Sequence, residues 1–357
     1  DVAARLPSIT DGGNATAMTI DSSEKIIIGD ATSHTTDLLQ IETPASGGGH
    51  GIQIRRNDTN TGQGVGHILF GNNTATDLAK IAAGTDGAAD SGYLILATQP
   101  ASGNLTDRMT INSSGNAGIG VTPSSWPSNG DFRALQVGSG LSLYGRGSND
   151  KDRVGMTANA YVDVTNDRFE YIGTGHATHY RQSDGTHAFQ TAASGSADGA
   201  ITFSTVMSID STGAVTMPAQ PAFLVNATTL SSFSASTNSK VDFDTERFDV
   251  NSDFNVSTQT FTAPVPGKYH LDSQVLLVNW DSSADYYYLQ IITSNRTYYE
   301  LRSGEANPGD PSYTYMQVHA LADMDAGDTA KLTFTQGAGS AQSDVNPESY
   351  FSGILVA

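Results

Sequence analysis

The sequence contains no cysteine, and its 18 lysines and arginines are outnumbered by 37 aspartates and glutamates, which gives a formal net charge of −19. Without cysteine the chain can form no disulfide, no thiolate nucleophile and no cysteine-based zinc site. The excess of negative charge repels phosphate backbones and anionic lipid surfaces. We therefore expect neither nucleic-acid binding nor membrane insertion.

Long apolar runs are also missing. The longest ones, such as Ile26 to Ile28 and Val275 to Val278, are far shorter than the ~20 residues that a membrane-spanning helix needs. The opening residues have no basic start followed by an apolar stretch, so we expect no signal peptide. A length of 357 residues is typical of two or three domains.

Apolar and polar residues alternate along much of the chain, for example at 93–96, 269–275 and 330–334. Glycine, asparagine, aspartate and serine separate these stretches. A period of two between such breaks is typical of half-buried strands, whereas the helical period is almost absent. The same alternation predicts that neighbouring residues in the tyrosine cluster 286–288 face opposite sides of a strand. The sequence therefore predicts an all-β protein.

One short pattern occurs three times. Each copy has a methionine and an isoleucine around a hydroxyl residue, then an aspartate or asparagine followed by serine, and then a new apolar stretch. We interpret it as a recurring β-hairpin. The copies begin at Met18, Met109 and Met207.

Proline divides the chain further, because a residue without an N–H cannot serve in a central strand. Proline-bearing stretches at 121–128 and 217–221 mark two boundaries. The predicted organisation is an N-terminal shaft segment (1–38), a first β-module (39–120), a second β-module (121–217) and a C-terminal head (218–357).

Residues 107–120 (DRMTINSSGNAGIG) resemble a segment common in bacteriophage tail-fibre proteins, and residues 134–138, 171–180 and 200–203 are similar to another phage-fibre module. The resemblance covers about residues 90–217. It implies a trimeric, β-rich fibre shaft.

The C-terminal part resembles a different family, the C1q-like domains, which are jelly-roll β-sandwiches of the TNF-like kind. The resemblance rests on Phe223, on TFTAPVPGKY at 260–269, on AGD at 326–328 and on YFSGIL at 350–355. It implies a jelly-roll head that assembles as a homotrimer.

Together these resemblances predict a non-catalytic receptor-binding tail fibre, which attaches a phage to the host-cell surface. The expected partners are two further copies of the chain, other virion proteins at the N-terminal end, and a host-surface glycan or protein. The expected location is the virion, exposed to the extracellular medium, after synthesis in the host cytoplasm. Two alternatives stay open: a structural tail or head-decoration fibre whose cap mainly drives trimerisation, and a polysaccharide-degrading tailspike. Release of reducing ends from host glycans distinguishes the tailspike from the adhesin.

Counting strands back from the last one places the polar loops 303–311 and 337–346 at the far tip of the head, with the proline corner at 264–267 beside them. Loops on a rigid scaffold are frequent contact segments. The candidate receptor contacts are therefore Glu305, Asn307, Asp310, Gln342 and Asp344.

Two metal sites are conceivable on the threefold axis of a trimer. Glu305, Asp310 and Asp344 are candidates for Ca²⁺, which prefers oxygen ligands, although splaying of these carboxylates into solvent is the simpler outcome. His176 and His179 are candidates for a transition metal, with ordinary polar packing as the alternative. No catalytic residue and no other cofactor is predicted.

Overall fold

The computed structural model describes residues 8–10, 16–29, 32, 35–42, 51–127, 132–147 and 151–357. Much of the predicted N-terminal shaft segment, including residues 1–7 and 11–15, lies outside the described residues. The described part of the chain forms β-strands and two short 3-10 helices, Val250–Ser252 and Gly304–Ala306, and it contains no helix able to cross a membrane. The predicted all-β class is confirmed.

The strands are β1 (Ser8–Thr10), β2 (Thr16–Ile20), β3 (Ile26–Ile28), β4 (Leu39–Ile41), β5 (Gly64–Phe70), β6 (Ala79–Thr85), β7 (Gly92–Thr98), β8 (Thr106–Ile111), β9 (Ala117–Ile119), β10 (Arg133–Val137), β11 (Leu141–Gly145), β12 (Val154–Ala158), β13 (Ala160–Asp163), β14 (Arg168–Tyr171), β15 (Gly175–Ser183), β16 (Thr186–Gly195), β17 (Ser204–Ile209), β18 (Val215–Thr216), β19 (Ala222–Asn226), β20 (Ser231–Ser232), β21 (Ser239–Lys240), β22 (Thr245–Asp249), β23 (Phe254–Asn255), β24 (Thr260–Thr262), β25 (Gly267–Val278), β26 (Tyr286–Thr293), β27 (Thr297–Arg302), β28 (Tyr313–Met324), β29 (Thr329–Gly337), β30 (Asp344–Val345) and β31 (Tyr350–Leu355).

The chain forms two compact units, one of residues 1–147 with 161–168 and one of residues 148–160 with 169–357. The first unit contains a small sheet in the order β1-β2-β3-β4 and a run of neighbouring strands in the order β5 to β11. The second unit contains the neighbouring strands β12-β15-β16-β17-β18 and the C-terminal sandwich. The predicted domain boundaries stay predictions.

The repeated pattern forms the same hairpin three times, as β2–β3, β8–β9 and β17–β18. In each copy the side-chain oxygen of Asp21, Asn112 or Asp210 accepts hydrogen bonds from the backbone N–H groups two and four residues later, at 2.8–3.1 Å. This side-chain turn explains why the pattern requires aspartate or asparagine at that position.

The C-terminal residues form a sandwich of two sheets. One sheet has the order β20-β30-β25-β31-β19-β22, with β28 paired to β25, and the other has the order β23-β24-β29-β26-β27, with β21 paired to β29. Strict alternation on β28 turns every second side chain inward, from Thr314 to Met324. Antiparallel strands with one face buried produce this pattern.

Aromatic side chains from both sheets form one continuous core. The ring of Phe223 lies 4.7 Å from that of Phe261 and 5.2 Å from that of Phe351. Gly353 permits this packing, because a Cβ atom at this position would lie 2.5 Å from the Phe223 ring. Each large buried side chain stabilises the sandwich by about 1.5–3 kcal/mol. This core makes the sandwich a rigid support for its loops.

Candidate functional site

Strand register defines the two ends of the sandwich. Tyr269, near the start of β25, pairs with Leu355, and Ala222, the first residue of β19, pairs with Ile354. The first residues of the sandwich and its last residues therefore share one end, which we call the base. Val278, the last residue of β25, pairs with Tyr313 at the opposite end, which we call the apex.

Three loops meet at the apex: 279–285, 303–312 and 338–343. The backbone N–H of Trp280 donates to the carbonyl of Pro311 at 3.3 Å, and its indole Nε1–H donates to the carbonyl of Gly304 at 2.8 Å. The backbone N–H of Ser282 donates to Oδ1 of Asp310 at 2.7 Å. The loop 279–285 therefore fixes both ends of the loop 303–312.

The loop 279–285 also holds the loop 338–343, through the carboxylate of Asp281. This carboxylate is only 3% exposed and accepts hydrogen bonds from the backbone N–H groups of Ser283 (2.9 Å), Ser340 (2.5 Å) and Ala341 (2.6 Å). The hydroxyl of Ser283 donates to it as well, at 2.6 Å. Burial raises the pKa of Asp281, but these donors outweigh burial and hold the pKa well below its usual range.

A buried network lies beneath this carboxylate. The hydroxyl of Tyr287 accepts a hydrogen bond from the backbone N–H of Asp281 at 2.9 Å and lies 3.0 Å from Oγ of Ser343. Gln336 donates from Nε2 to the carbonyl of Ala341 at 2.6 Å and accepts from the N–H of Ser343 at 2.8 Å. Burial raises the pKa of Tyr287 and keeps its hydroxyl protonated. Satisfied buried networks of this kind make loop positions well defined.

The structure brings the two predicted contact loops together at the apex. Glu305 and Gln342 are exposed, and Asn307 is half-buried. Asp310 and Asp344 are engaged within the chain, since Asp310 accepts from Ser282 and Asp344 accepts from Nε2 of Gln342 at 3.2 Å. Their proposed role in receptor contact stays a prediction.

The proline corner at 264–267 lies at the base, and its predicted position beside the apical loops is wrong. Gly267 pairs with Met324, and the N–H of the next residue, Lys268, donates to the carbonyl of Ala357 at 2.6 Å. The corner precedes β25, whose first residues pair with the end of β31, so it must lie at the end where the chain leaves the sandwich.

Within one chain His176 and His179 do not lie together, and their metal site on a threefold axis between chains stays a prediction. The two residues are three positions apart on β15 and lie on opposite faces, with His176 exposed and His179 only 3% exposed. The imidazole of His179 packs between the rings of Phe169 and Phe203, at 5.1 Å and 5.2 Å. Burial lowers its pKa to about 4, which an interaction with Gln190 opposes and the charge of Arg181 reinforces.

Within one chain, the described residues contain no group of three or more histidine, aspartate or glutamate side chains that could hold a metal ion. The predicted Ca²⁺ site of Glu305, Asp310 and Asp344 concerns a threefold axis between chains and stays a prediction.

Sequence reasoning missed the organising residue of the apex, Asp281. Part of the local signal was present, because the side chain of Asp281 accepts from the backbone N–H two residues later, as in the repeated hairpins. The tyrosine cluster behaved as predicted: Tyr287 is fully buried, whereas Tyr286 is 36% exposed on the other side of β26.

A family model, the C1q domain, matches residues 222–356, which span both sheets and the three apical loops. Residues 222–356 are a C1q domain. This confirms the predicted jelly-roll domain at the C-terminus. Similar solved structures include the globular domain of zebrafish complement 1qA protein, with 21% identity and a TM-score of 0.29 over 39% of this chain and 98% of that chain. Murine APRIL is similar at 12% identity and a TM-score of 0.30 over 38% of this chain and 99% of that chain. No curated protein matches the chain.

Proposed function

We propose that the protein is a non-catalytic, homotrimeric phage fibre that attaches the virion to the host-cell surface, with its C1q domain as the distal head. The observation that carries this proposal is the construction of the apex. Loop 279–285 holds two polar loops at the end of the C1q domain opposite its base: loop 338–343 through the buried carboxylate of Asp281, and loop 303–312 through Trp280 and Ser282. The resemblance of residues 107–120 to tail-fibre segments supports the phage origin.

Exposed apolar side chains support self-association of the C1q domain. The outward face of β28 carries Tyr313, Tyr315 and Leu321, which are 65%, 46% and 62% exposed. Ile354 on β31 is 46% exposed and shares its cross-strand partner, His270 on β25, with Leu321. Exposed apolar side chains on one face of a sheet favour contact with another chain.

The apical loops carry polar side chains that could contact a ligand, and these are separate from the exposed apolar side chains of β28 and β31. Glu305, Asn307 and Gln342 lie on a scaffold that is already ordered, so that binding costs little additional conformational entropy. These groups suit a polar ligand such as a glycan or a polar protein surface.

A binding role fits the apex better than acid–base catalysis. The carboxylate with the most strongly lowered pKa, Asp281, is saturated by donors from its own chain. A carboxylate held in this way is ionised and fixed, whereas a general acid needs a raised pKa. This observation favours the adhesin over the tailspike.

The test combines native mass spectrometry with adsorption of the purified full chain to a panel of bacterial strains. We expect a trimer that adsorbs to some strains and releases no reducing ends from their glycans. The variant Glu305→Lys/Asn307→Ala/Gln342→Lys changes side chains away from Asp281 and should reduce adsorption at least tenfold. Asp325→Lys, a matched charge reversal in an exposed loop at the base, should adsorb like the parent.

Three outcomes count against parts of the proposal. Equal adsorption by the triple variant and the parent would show that the receptor contact does not lie at the apex. A trimer that adsorbs to no strain would favour a structural fibre. Reducing-end release would make the protein a tailspike.

A further inference from the structure

A row of apolar side chains crosses the first unit on one face of its sheet. In the run from β5 to β11, each member of this row pairs directly with the next one on the neighbouring strand. Directly opposed residues of a sheet point to the same side. We call this row the apolar ladder; its members are Ile68, Ile81, Leu96, Met109, Ile119, Val137 and Leu141.

A second row runs parallel to the ladder, two residues away along each strand, and is apolar as well. Residues two apart on a strand share a face, so the two rows form one continuous surface without a charged side chain. The second row consists of Gly66, Ala83, Leu94, Ile111, Ala117, Leu135 and Leu143.

Most of the large side chains in these rows are exposed in the single chain, and the others are partly buried. The exposed fractions are 48% for Ile68, 39% for Ile81, 40% for Leu94, 40% for Leu96, 43% for Ile119, 38% for Val137 and 39% for Leu143. Soluble monomers rarely expose apolar patches larger than a few hundred Å². A continuous face of this composition therefore indicates a surface that is covered in the assembled protein.

On β10 and β11, the face opposite the ladder is buried and includes polar side chains. Gln136 and Ser142 are 2% and 0% exposed, and they hydrogen-bond to each other at 3.2 Å. Trp126, itself 2% exposed, packs on that face, with its ring 5.6 Å from that of Tyr144. Within a single chain, β10 and β11 bury this face and leave the apolar face open, so this part of the sheet has only one of the two layers that it needs.

The size of the surface favours another copy of the chain over a foreign protein as its partner. Seven strands about 4.8 Å apart span about 30 Å, and two rows of side chains cover on the order of 500 Å². A standard interface buries about 800 Å² on each partner. A foreign protein would have to bind through this smaller area alone, whereas another copy of the chain is already held nearby by the head, which raises its effective concentration.

The net charge of the chain also favours another copy of the chain as the partner of this surface. A chain with a net charge of −19 repels its own copies unless their contact surfaces are free of charge. The two apolar rows meet that requirement.

We propose that three copies of the chain pack their apolar ladders inward around a common axis, so that residues 64–145 form a second assembly surface in addition to the head. This inference rests on the proposed trimer. It makes the ladder the hydrophobic core of the shaft, shared among the three chains.

Single cysteines test the proposal, because the chain has none of its own. Ile68→Cys and Leu69→Cys are the matched pair: the two side chains are neighbours on β5, are 48% and 45% exposed in the single chain, and face opposite sides. Leu96→Cys, at a ladder position that is 40% exposed, probes the centre of the sheet. The measurement is the rate of alkylation by a maleimide in the native assembly and in denaturant.

We expect the cysteines at positions 68 and 96 to react at least tenfold more slowly than the cysteine at 69 in the native trimer, and all three to react alike in denaturant. A native trimer in which all three cysteines react at similar rates would overturn the shared core and leave the proposed head trimer intact. A protein that native mass spectrometry shows to be monomeric would overturn both.

Discussion

The carboxylate of Asp281 accepts a hydrogen bond from the backbone N–H of Ala341 at 2.6 Å, across 60 residues of sequence. This contact joins the loop between β25 and β26 to the loop between β29 and β30, and each of these loops crosses from one sheet to the other. Asp281 is buried and ionised, so each of its donors is charge-assisted and worth about twice a neutral hydrogen bond. The apex is therefore a single ordered surface rather than three independent loops.

Removing this carboxylate should loosen the apex. Asp281→Ala leaves the N–H groups of Ser283, Ser340 and Ala341 without their acceptor, and we expect it to destabilise the C1q domain by about 2–4 kcal/mol. Asp281→Asn keeps one neutral acceptor and should cost about half as much. Thermal unfolding followed by near-UV circular dichroism measures both.

The same variant pair gives a pH control. Because the pKa of Asp281 is lowered on folding, its contribution is complete above the unfolded pKa of about 4 and is lost as the pH falls through the folded value. The parent should therefore lose stability below pH ~4 more steeply than Asp281→Asn. Parallel pH curves would contradict the role assigned to this carboxylate.

Acid should also destabilise the second unit around His179, and this loss of stability should begin at a higher pH than the loss due to Asp281. The pKa of His179 is about 4 in the folded chain against an ordinary histidine value of 6.5, so the unfolded chain binds the extra proton first. Stability is then complete above pH ~6.5 and declines by up to about 3 kcal/mol as the pH falls to about 4. Hydrogen exchange of β15 and β16 at pH 7 and pH 5, corrected for intrinsic rates, measures the loss.

His179→Leu replaces the imidazole with a side chain that cannot be protonated and should remove most of this pH dependence. His176→Leu, on the exposed face of the same strand, should retain it. The interpretation fails if both variants keep the full pH dependence of the parent.

A glycine at position 24 should stabilise the first of the three repeated hairpins. Glu24 has a left-handed backbone (φ 64°) at the position where the other two copies have Gly115 (φ 79°) and Gly213 (φ 91°). We expect Glu24→Gly to stabilise the hairpin β2–β3 by about 0.5–1 kcal/mol, and Gly213→Ala to destabilise β17–β18 by about 1 kcal/mol. Amide hydrogen exchange measures both effects: we expect slower exchange in β3 for Glu24→Gly and faster exchange in β18 for Gly213→Ala. Faster exchange in β3 for Glu24→Gly would contradict the prediction.

Assembly of the head should depend on the outward face of β28. Leu321→Lys replaces an exposed apolar side chain on that face with a charge and should weaken association at least tenfold, as seen in the concentration dependence of native mass spectra. Leu301→Lys is the matched control, since Leu301 is 50% exposed but lies on the other sheet. Equal weakening by both variants would place the contact elsewhere.

Much of the fold was predictable because alternation and turn residues act locally. The triple hairpin follows from aspartate or asparagine hydrogen-bonding to its own turn, as at Asp210. The position of the two apical loops followed from counting antiparallel strands. The proline corner was misplaced because its position depends on which strand pairs with β25, and that pairing with β31 joins residues more than 80 positions apart.

The contacts that organise the apex and the sheet of the first unit could not be predicted from the sequence for a related reason. Asp281 has a recognisable turn partner in Ser283, but its partners Ser340 and Ala341 are set by the folded sheets. The apolar ladder likewise exists only in the register of the strands, because Ile68, Leu96 and Ile119 lie in three separate stretches. Short alternating segments predict strands without saying which side chains align.

The chain enters and leaves the C1q domain at the same end, where the N–H of Leu355 donates to the carbonyl of Pro221 at 3.0 Å. Because both ends of residues 222–357 lie at the base, this domain could be exchanged for another C1q domain with all junctions at that end, without rethreading any strand outside the domain. A fluorescent protein or affinity tag placed after Ala357 would likewise lie at the base, at the opposite end of the domain from the apical loops.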